Sequence, residues 1–326
     1  MVKADAYGHG AASVCKKIAP HCKMFAAATA DEALQVKREC PRSGVLMLMP
    51  PCQKDADALV AADAALTVFS AEHLRIVSAA CSRLGKQARV HIKFDSGMNR
   101  LGCSGQDLGA LISLLDGQRQ IVAEGLYTHF GSTHPRDIRR SVQRFDGAAA
   151  AVKSRWPDVL THACASSTAM GEYRNRYDMV RCGLALYGYG KQGLTPAMEV
   201  AAGVLEVKRV QRGNFIGYGR TFRARRDMDI AIIGCGYADG LPRLISPGGA
   251  AEIGGRLCAF AGSVCMDMTA ADVSGTDVCA GAEAVIMSSR RGNERLSFEY
   301  NARHLSTIPY ELLTGFNRSR NVRQYI

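Results

Sequence analysis

Three features are missing from this sequence of 326 residues, and each absence excludes a class of protein. No apolar run approaches the roughly 20 residues of a membrane-spanning helix, so no membrane association is expected. The first residues contain no apolar block of the signal-peptide type, because Lys3, Asp5 and His9 interrupt it. The 12 cysteines include no CxxC pair, so no metal site is predicted. Scattered thiols without an export signal predict a cytoplasmic protein.

The positive charge of the chain does not indicate a nucleic-acid partner. The formal net charge is +11, but the basic clusters are short, as in "RARR" at 223–226 and "RR" at 290–291. Proteins that bind single strands interleave such clusters with aromatic side chains, and these clusters show no such interleaving. We therefore interpret the charge as solvated surface with a mild attraction for anionic small molecules.

Short β-type runs alternate with helical patterns through the first 190 residues. Eight runs predict strands at 1–3, 24–29, 45–50, 65–70, 88–95, 122–130, 160–167 and 178–183. Apolar residues at helical spacing predict helices at 30–40, 70–85 and 140–156. Strands that alternate with helices are typical of parallel sheets, and eight such units predict an α/β fold with a (β/α)8 barrel of the TIM type.

The pattern changes near residue 200, after which strands follow one another with few helical intervals. The predicted strands lie at 203–210, 215–222, 229–237, 257–267 and 283–288. One short helix is predicted at 298–305. The sequence therefore predicts two domains, a barrel at 1–200 and a mainly antiparallel β-domain at 201–326.

Polar residues stand at the ends of several predicted barrel strands. They are Lys3, Lys93, Asp95, His129, Ser166, Ser167, Arg181 and Gly183. Active sites of such barrels lie at the carboxyl ends of the strands. A lysine there can form a Schiff base with an aldehyde, as pyridoxal phosphate requires. The segments 165–167 and 182–188 offer hydroxyl and backbone N–H groups for its phosphate, and Arg181 offers a partner for its pyridine nitrogen.

Blocks along nearly the whole chain resemble the alanine racemase family of fold-type III pyridoxal-phosphate enzymes. "VKADAYGHG" at 2–10 is similar to the family's cofactor-lysine motif. The other blocks, in family order, are "VHIKFDSGMNRLG" (90–102), "YTHF" (127–130), "ASSTA" (165–169), "VRCGLALYG" (180–188), "GYGRTF" (217–222), "GYADGLPR" (236–243), "GSVCMD" (262–267) and "STIPYE" (306–311). The resemblance implies an isomerase that interconverts L- and D-alanine and supplies D-alanine for peptidoglycan in the cell wall.

The resemblance also implies how pyridoxal 5'-phosphate is bound. Lys3 would carry it covalently, and Arg181 would face its pyridine nitrogen. Its phosphate would be held by Tyr7, Ser167, Gly183 and Tyr310. Arginine remains protonated at any working pH, so it cannot hand a proton to the ring nitrogen. The weaker electron withdrawal of an unprotonated ring favours prompt reprotonation at Cα over transamination.

Racemisation requires proton-transfer groups on opposite faces of the substrate, and the resemblance assigns them to Lys3 and Tyr237. Because a phenol has an ordinary pKa near 10, Tyr237 needs neighbouring positive charge to act as a base. His129 and Arg181 resemble the hydrogen-bonded chain that supplies it. Arg100 matches the residue that binds the substrate carboxylate.

The resemblance further implies a homodimer with shared active sites. Tyr237, Met266 and Asp267 match residues that enter the neighbouring subunit's site, Met266 through its backbone N–H. Lys93 matches a lysine that is often carbamylated in the family, where the carbamate orients the carboxylate-binding arginine. A simple ion pair between Lys93 and Asp95 is the alternative that the residues alone suggest.

Three departures from the family pattern stand out. The family has a longer segment before the cofactor lysine, so here strand one is reduced to residues 1–3 and we expect a barrel open on one side. Cys182 replaces a common proline, and Ser166 replaces a usual asparagine.

Three alternative functions remain open: a racemase for serine or another small amino acid, a non-catalytic pyridoxal-phosphate protein, and an inactive fragment. The second domain with Tyr237 argues against the non-catalytic protein.

Overall fold

Seven parallel strands form one sheet in the computed structural model, which describes residues 1–171, 173, 176–316 and 319–325. These strands are β1 (Met24–Ala27), β2 (Gly44–Met47), β3 (Ala65–Val68), β4 (Ala88–Lys93), β5 (Ile121–Tyr127), β6 (Leu160–Ala165) and β7 (Met179–Arg181). Each strand pairs with the next one along the chain, so all seven carboxyl ends lie at one edge. Most of their residues are buried, as expected for parallel strands that helices cover.

Helices connect these strands, and two of them begin where the sequence predicts. The helices are Ala11–Ile18, Ala30–Glu39, Gln53–Ala61, Ala71–Leu84, Gly105–Asp116, Pro135–Lys153 and Ser166–Ala169. Ser70 Oγ accepts the N–H of His73 and caps the helix Ala71–Leu84. Thr29 and Glu32 form a capping box at the start of Ala30–Glu39. Within the described residues no helix combines the length and the hydropathy that crossing a membrane would take.

The prediction of a strand at residues 1–3 is wrong. Val2 donates its N–H to Ala26 O of β1 at 3.0 Å, and the amino group of Met1 donates to Cys182 O, just after β7, at 2.9 Å. In the described part of the chain β7 does not pair with β1. The barrel is therefore nearly closed by seven strands rather than eight, and residues 1 and 2 lie between its two edge strands. A tight left-handed turn after Lys3 prevents the chain from continuing as a strand.

The chain divides into two units. The first consists of Met1–Ala6, Gly10–Leu186 and Gly190–Gln192, and the second of Tyr7–His9, Tyr187–Tyr189 and Gly193–Ile326.

The second unit contains a six-stranded antiparallel sheet and a short two-stranded ribbon. Its strands are β8 (Glu199–Val210), β9 (Phe215–Ile216), β10 (Phe222–Arg223), β11 (Met228–Ile233), β12 (Ala250–Ile253), β13 (Arg256–Ala259), β14 (Thr269–Asp272) and β15 (Glu283–Ser288). The sheet order is β13-β12-β15-β8-β11-β14, and β9 pairs with β10 as the ribbon. Two helices, Phe298–His304 and Pro309–Gly315, follow the sheet.

Two predicted strands of this region are shorter than the sequence suggested. The run 215–222 is divided into β9 and β10, because Gly217 and Gly219 adopt positive φ values of 75° and 71° in the turn between them. In the predicted run 257–267, the strand ends at Ala259. The alanine-rich strands β12 and β14 were not predicted at all.

Candidate active site

Lys3 lies at the start of a left-handed helical turn. The four residues that follow it, Ala4, Asp5, Ala6 and Tyr7, have φ values of 51°, 50°, 56° and 55°. This conformation costs roughly 1–2 kcal/mol for each residue that carries a side chain. Four such residues in succession therefore require support from their surroundings.

Two carboxylates support this turn. Glu32 Oε1 accepts the N–H of Ala4 at 2.7 Å, while its Oε2 accepts the N–H of Ala28 at 2.7 Å. Asp5 Oδ1 accepts the N–H of Ala11 at 2.6 Å. Hydrogen bonds to ionised groups are the stronger kind, so they offset part of the backbone strain.

Two cations at strand ends lie over one aromatic ring. Lys93 ends β4 with its Nζ 4.6 Å from the ring centroid of Tyr127, and Arg181 ends β7 with its Cζ 5.2 Å from the same centroid. The hydroxyl of Tyr127 is 2.8 Å from Thr67 Oγ1. Burial raises the pKa of Tyr127 to about 12. Its ring is therefore a neutral face that both cations can approach.

Among the residues that the structure describes, the guanidinium of Arg181 has only neutral hydrogen-bond acceptors. Nη1 donates to O and Nδ1 of His162, both at 2.9 Å. Nη2 donates to Thr128 O at 2.6 Å and Ala163 O at 3.1 Å, and it lies 3.4 Å from Nδ1 of His129. Burial lowers the pKa of Arg181 to about 10, which is still far above neutral pH. The group is therefore a fixed cation.

Positive charge accumulates around His129. Burial, and then the charges of Arg181, Arg100, Lys93 and Lys3, lower the pKa of His129 to about 3. Within the described residues, none of these four cations forms an ion pair with a carboxylate. The uncompensated charge makes this edge of the barrel suited to an anionic ligand.

The ion pair between Lys93 and Asp95 is not formed. Asp95 Oδ1 instead accepts the N–H groups of Gly97 and Met98 at 2.8 and 2.9 Å. Burial and the neighbouring arginines lower the pKa of Lys93 to about 8. A fraction of Lys93 is therefore a neutral, nucleophilic amine near neutral pH.

A buried hydroxyl organises the backbone after β7. Ser166 Oγ accepts the N–H groups of Gly183 and Ala185 at 3.0 and 3.2 Å. With two bonds accepted, the hydroxyl keeps its own hydrogen for donation. Ser167, the predicted phosphate ligand, is exposed. The Gly183 N–H that was predicted to hold phosphate is thus already bound to Ser166.

This set of side chains fits pyridoxal phosphate. The cofactor has an aldehyde, a phosphate dianion and a ring oxygen that is readily ionised. Lys3 provides the primary amine, and Arg181 provides a fixed cation. The positive charge around His129 complements the two anionic groups.

In the second unit, the two tyrosines predicted to hold phosphate lie side by side. The ring centroid of Tyr7 is 5.8 Å from that of Tyr310 and 5.2 Å from that of Tyr187. Burial, followed by the proximity of Tyr310, raises the pKa of Tyr7 to about 12, so its hydroxyl remains a donor. Gly8 allows the close approach here, because a Cβ would lie 2.3 Å from Leu313 O.

The second unit also groups Tyr237, Met266 and Asp267 on its surface. Gly236 brings these two segments together, since a Cβ at this position would lie 2.3 Å from Met266 O. The side chains of Tyr237 and Met266 are 40% and 53% exposed. Asp267 forms an ion pair with Arg320 at 2.7 Å. The three residues therefore form one accessible polar and apolar surface.

Sequence reasoning found five residues that the structure brings together in the first unit: Lys3, Lys93, Arg100, His129 and Arg181. It missed Tyr127 and His162, which both contact Arg181. Both are residues with polar groups inside predicted barrel strands, which was the available signal. Such residues are easily mistaken for ordinary core positions.

Comparison with known proteins gives consistent matches along the chain. The family model "Alanine racemase, N-terminal domain" matches residues 1–191, and "Alanine racemase, C-terminal domain" matches residues 197–325. "Alanine racemase 2" of Caldanaerobacter subterraneus subsp. tengcongensis is 34% identical, over 100% of this chain and 87% of that relative.

Two solved structures are similar over nearly their whole length. The alanine racemase from Streptomyces coelicolor A3(2) is 29% identical with a TM-score of 0.89, over 98% of this chain and 88% of that one. The biosynthetic alanine racemase from Pseudomonas aeruginosa is 30% identical with a TM-score of 0.85, over 100% and 91%.

Proposed function

The chain belongs to the alanine racemase family of pyridoxal-phosphate enzymes, and we propose that it interconverts L- and D-alanine at the carboxyl ends of its barrel strands. The observation that supports this assignment is the convergence of Lys3, Lys93, Arg100 and Arg181 around His129, where no carboxylate of the described residues forms an ion pair with them. An amine, a fixed cation and excess positive charge are what a phosphorylated aldehyde cofactor requires.

We assign the binding groups to this chain's own residues. Lys3 Nζ would attach pyridoxal 5'-phosphate, and Arg181 would be the cation at its pyridine nitrogen, to which it donates no proton. The family resemblance assigns the phosphate to Tyr7, Tyr310, Ser167 and Gly183. The hydroxyl of Ser166 either donates to the phosphate or releases the Gly183 N–H to it. When bound, the cofactor draws electron density away from Cα of the substrate.

The proton transfers are assigned to two groups. Lys3 Nζ moves a proton at Cα on one face of alanine, and Tyr237 of the partner subunit moves one on the opposite face. Arg100 binds the substrate carboxylate, since its guanidinium adds to the positive charge at His129. His129 and Arg181 hold the hydrogen-bonded chain that polarises the tyrosine.

A homodimer completes this arrangement. Tyr237, Met266 and Asp267 are accessible in the second unit, and Tyr218 and Leu244 of the same unit are exposed as well. Apolar surface of this kind is typical of protein interfaces. We propose that this surface enters the active site of a second copy of the chain.

Carbamylation of Lys93 is the second assignment that the electrostatics support. Its neutral amine adds to CO2 and releases a proton, which leaves a carbamate anion. That anion places negative charge beside Arg100 and Arg181, where none of the described residues supplies it by an ion pair.

The enzyme is further proposed to act in the cytoplasm and to supply D-alanine for peptidoglycan.

Borohydride reduction of the cofactor-loaded enzyme tests this function. Peptide mapping should place the pyridoxyl group on Lys3, and the loaded enzyme should convert L-alanine to D-alanine faster than it converts L-serine. A pyridoxyl group on another lysine would contradict the assignment of Lys3. A preference for serine would replace the substrate but keep the chemistry.

A further inference from the structure

A chain of hydrogen bonds leads from Arg181 into the barrel interior. Arg181 Nη1 lies 2.9 Å from Nδ1 of His162, and Nε2 of His162 lies 2.9 Å from Nδ1 of His91. His91 Nε2 lies 3.1 Å from Glu124 Oε2. Arg89 Nη1 then donates to the other oxygen of Glu124 at 2.7 Å. Two imidazoles thus connect a fixed cation to a carboxylate.

The direction of every hydrogen bond in this series follows from the first donor, the guanidinium of Arg181. A guanidinium can only donate, so Nδ1 of His162 accepts and its hydrogen sits on Nε2. That hydrogen must then go to Nδ1 of His91, whose own hydrogen sits on Nε2 and goes to Glu124. Each ring is neutral, because a second hydrogen on either one would place two donors face to face.

Burial and packing favour this neutral chain. His91 and His162 are 0% and 1% exposed. Burial, and then the charge of Arg181, hold the pKa of His162 well below its ordinary value. The ring of Tyr127 stacks on that of His162, with centroids 4.9 Å apart and an interplanar angle of 4°. Water therefore has little access to the links.

Gly125 leaves the space that this series of hydrogen bonds occupies. A Cβ on Gly125 of β5 would lie 2.1 Å from Nδ1 of His91. Its backbone has no positive φ, so conformational freedom does not explain the glycine. The absence of a side chain there gives the imidazole the space in which it reaches His162.

We propose that Glu124, His91 and His162 form a positioning relay that fixes the guanidinium of Arg181 in its orientation. None of the three touches the reacting atoms. The carboxylate polarises His91, His91 polarises His162, and His162 becomes a stronger acceptor for Arg181. Arg181 is then held between two imidazoles, His162 on one nitrogen and His129 near the other.

The catalytic consequence rests on the proposed function, in which Arg181 faces the pyridine nitrogen. A loosened Arg181 would alter the electron withdrawal that the ring exerts on Cα. Turnover should then fall while alanine binding, assigned to Arg100, stays close to that of the wild type.

Histidine-selective 15N NMR of the cofactor-loaded enzyme at neutral pH tests the relay itself. The relay requires that His91 and His162 both carry their hydrogen on Nε2 and that both are neutral. A hydrogen on Nδ1 of either ring overturns it. This measurement needs no variant and does not depend on which substrate the enzyme uses.

Two variants separate the relay from ordinary stabilisation. Glu124→Gln removes the relay's carboxylate charge while keeping its shape. Asp63→Asn is the matched control, because Asp63 also pairs with Arg89, at 3.0 Å, but its side chain is 69% exposed and it does not touch either histidine. Asparagine also tolerates the positive φ of 54° at this position.

The relay predicts different results for the two variants. Glu124→Gln should shift the 15N signals of His162 as well as those of His91, and should lower kcat roughly tenfold with little change in KM. Asp63→Asn should leave the 15N signals of both histidines and the kcat at wild-type values. Equal effects of the two variants on kcat, or an unchanged His162 signal in Glu124→Gln, would overturn the proposal. A wild-type enzyme with the expected tautomers but no racemisation would refute the proposed function and leave the relay standing.

Discussion

The two groups assigned to proton transfer are presented in different ways by this chain. Lys3 precedes a turn of four left-handed residues that Glu32 and Asp5 hold in place. Tyr237 stands on an accessible surface, with 40% of its area exposed. Strained backbone persists only where its surroundings over-determine it. One half of the proposed active site is therefore preorganised within a single chain, while the other half is proposed to acquire its surroundings by assembly.

Removal of Lys3 should have the largest effect. Lys3→Ala deletes both the attachment point and one proton-transfer group, so we expect racemisation to fall by roughly 1,000-fold or more. The cofactor's absorbance should no longer follow the protein through gel filtration. Lys17→Ala is the control, because Lys17 is an exposed lysine on the helix Ala11–Ile18. Equal activity of the two variants would remove Lys3 from the mechanism.

Mixed dimers would test whether Tyr237 works in the partner's site. Lys3→Ala and Tyr237→Phe chains should each be inactive alone. In a mixed dimer with shared sites, one site carries both changes and the other carries neither. Because random exchange makes roughly half of the dimers mixed, roughly a quarter of all sites should be intact by symmetry counting.

The assay for this experiment is L-to-D conversion of alanine after subunit exchange in mild denaturant. Recovery near a quarter of wild-type activity would support a shared site. Background activity, with mixed dimers verified by native mass spectrometry, would show that each chain uses its own tyrosine. Dimer assembly would then no longer explain why Tyr237 is exposed while Lys3 is held in place within its own chain.

The support of the left-handed turn can be weakened without touching Lys3. Glu32→Ala removes the acceptors for the N–H groups of Ala4, Ala28 and Thr29. We expect a loss of about 2 kcal/mol in unfolding free energy, because hydrogen bonds to a charged group are worth about this much. Weaker retention of the cofactor should accompany it. Glu39→Ala, which breaks only a surface pair with Lys16, should cost less than about 1 kcal/mol.

Acid should destabilise the region around His129. Its pKa is about 3 in the folded protein, so the stability due to its neutral form is present above its unfolded pKa of 6.5 and is lost as the pH falls towards 3. Between pH 7 and pH 5 this amounts to about 2 kcal/mol. The melting temperature of the cofactor-free protein should therefore fall less steeply for His129→Gln than for the wild type. His21→Gln, at an exposed position, should behave as the wild type does. Parallel slopes for all three proteins would contradict the charge cluster.

Much of the barrel could be predicted because its local signals agree with its packing. The helices Ala30–Glu39 and Ala71–Leu84 have capping residues and apolar periodicity that point to the same boundaries. Lys93, His129 and Arg181 were found because polar groups at strand ends have no packing role. The left-handed turn was not foreseen, since "ADAY" contains no glycine and its conformation depends on Glu32, which lies 28 residues along the chain from Ala4.

The relay illustrates what sequence patterns could not reveal. His91 on β4 and His162 on β6 are 71 residues apart, and only the parallel sheet brings their rings together across β5. Each lies in a largely buried strand, where a polar residue gives no indication of its partner. In the same way, Ser166 was predicted as a departure from the family pattern, but its bond to the Gly183 N–H depends on the turn after β7.

Gly125 has a consequence for the evolution of related sequences. A side chain at this position and an imidazole at position 91 cannot occupy the same space, because the closest approach would be 2.1 Å. The two positions should therefore covary: homologues with alanine or a larger residue at 125 should have lost the histidine at 91. A histidine paired with a bulky neighbour would mark a barrel whose strands have shifted in register.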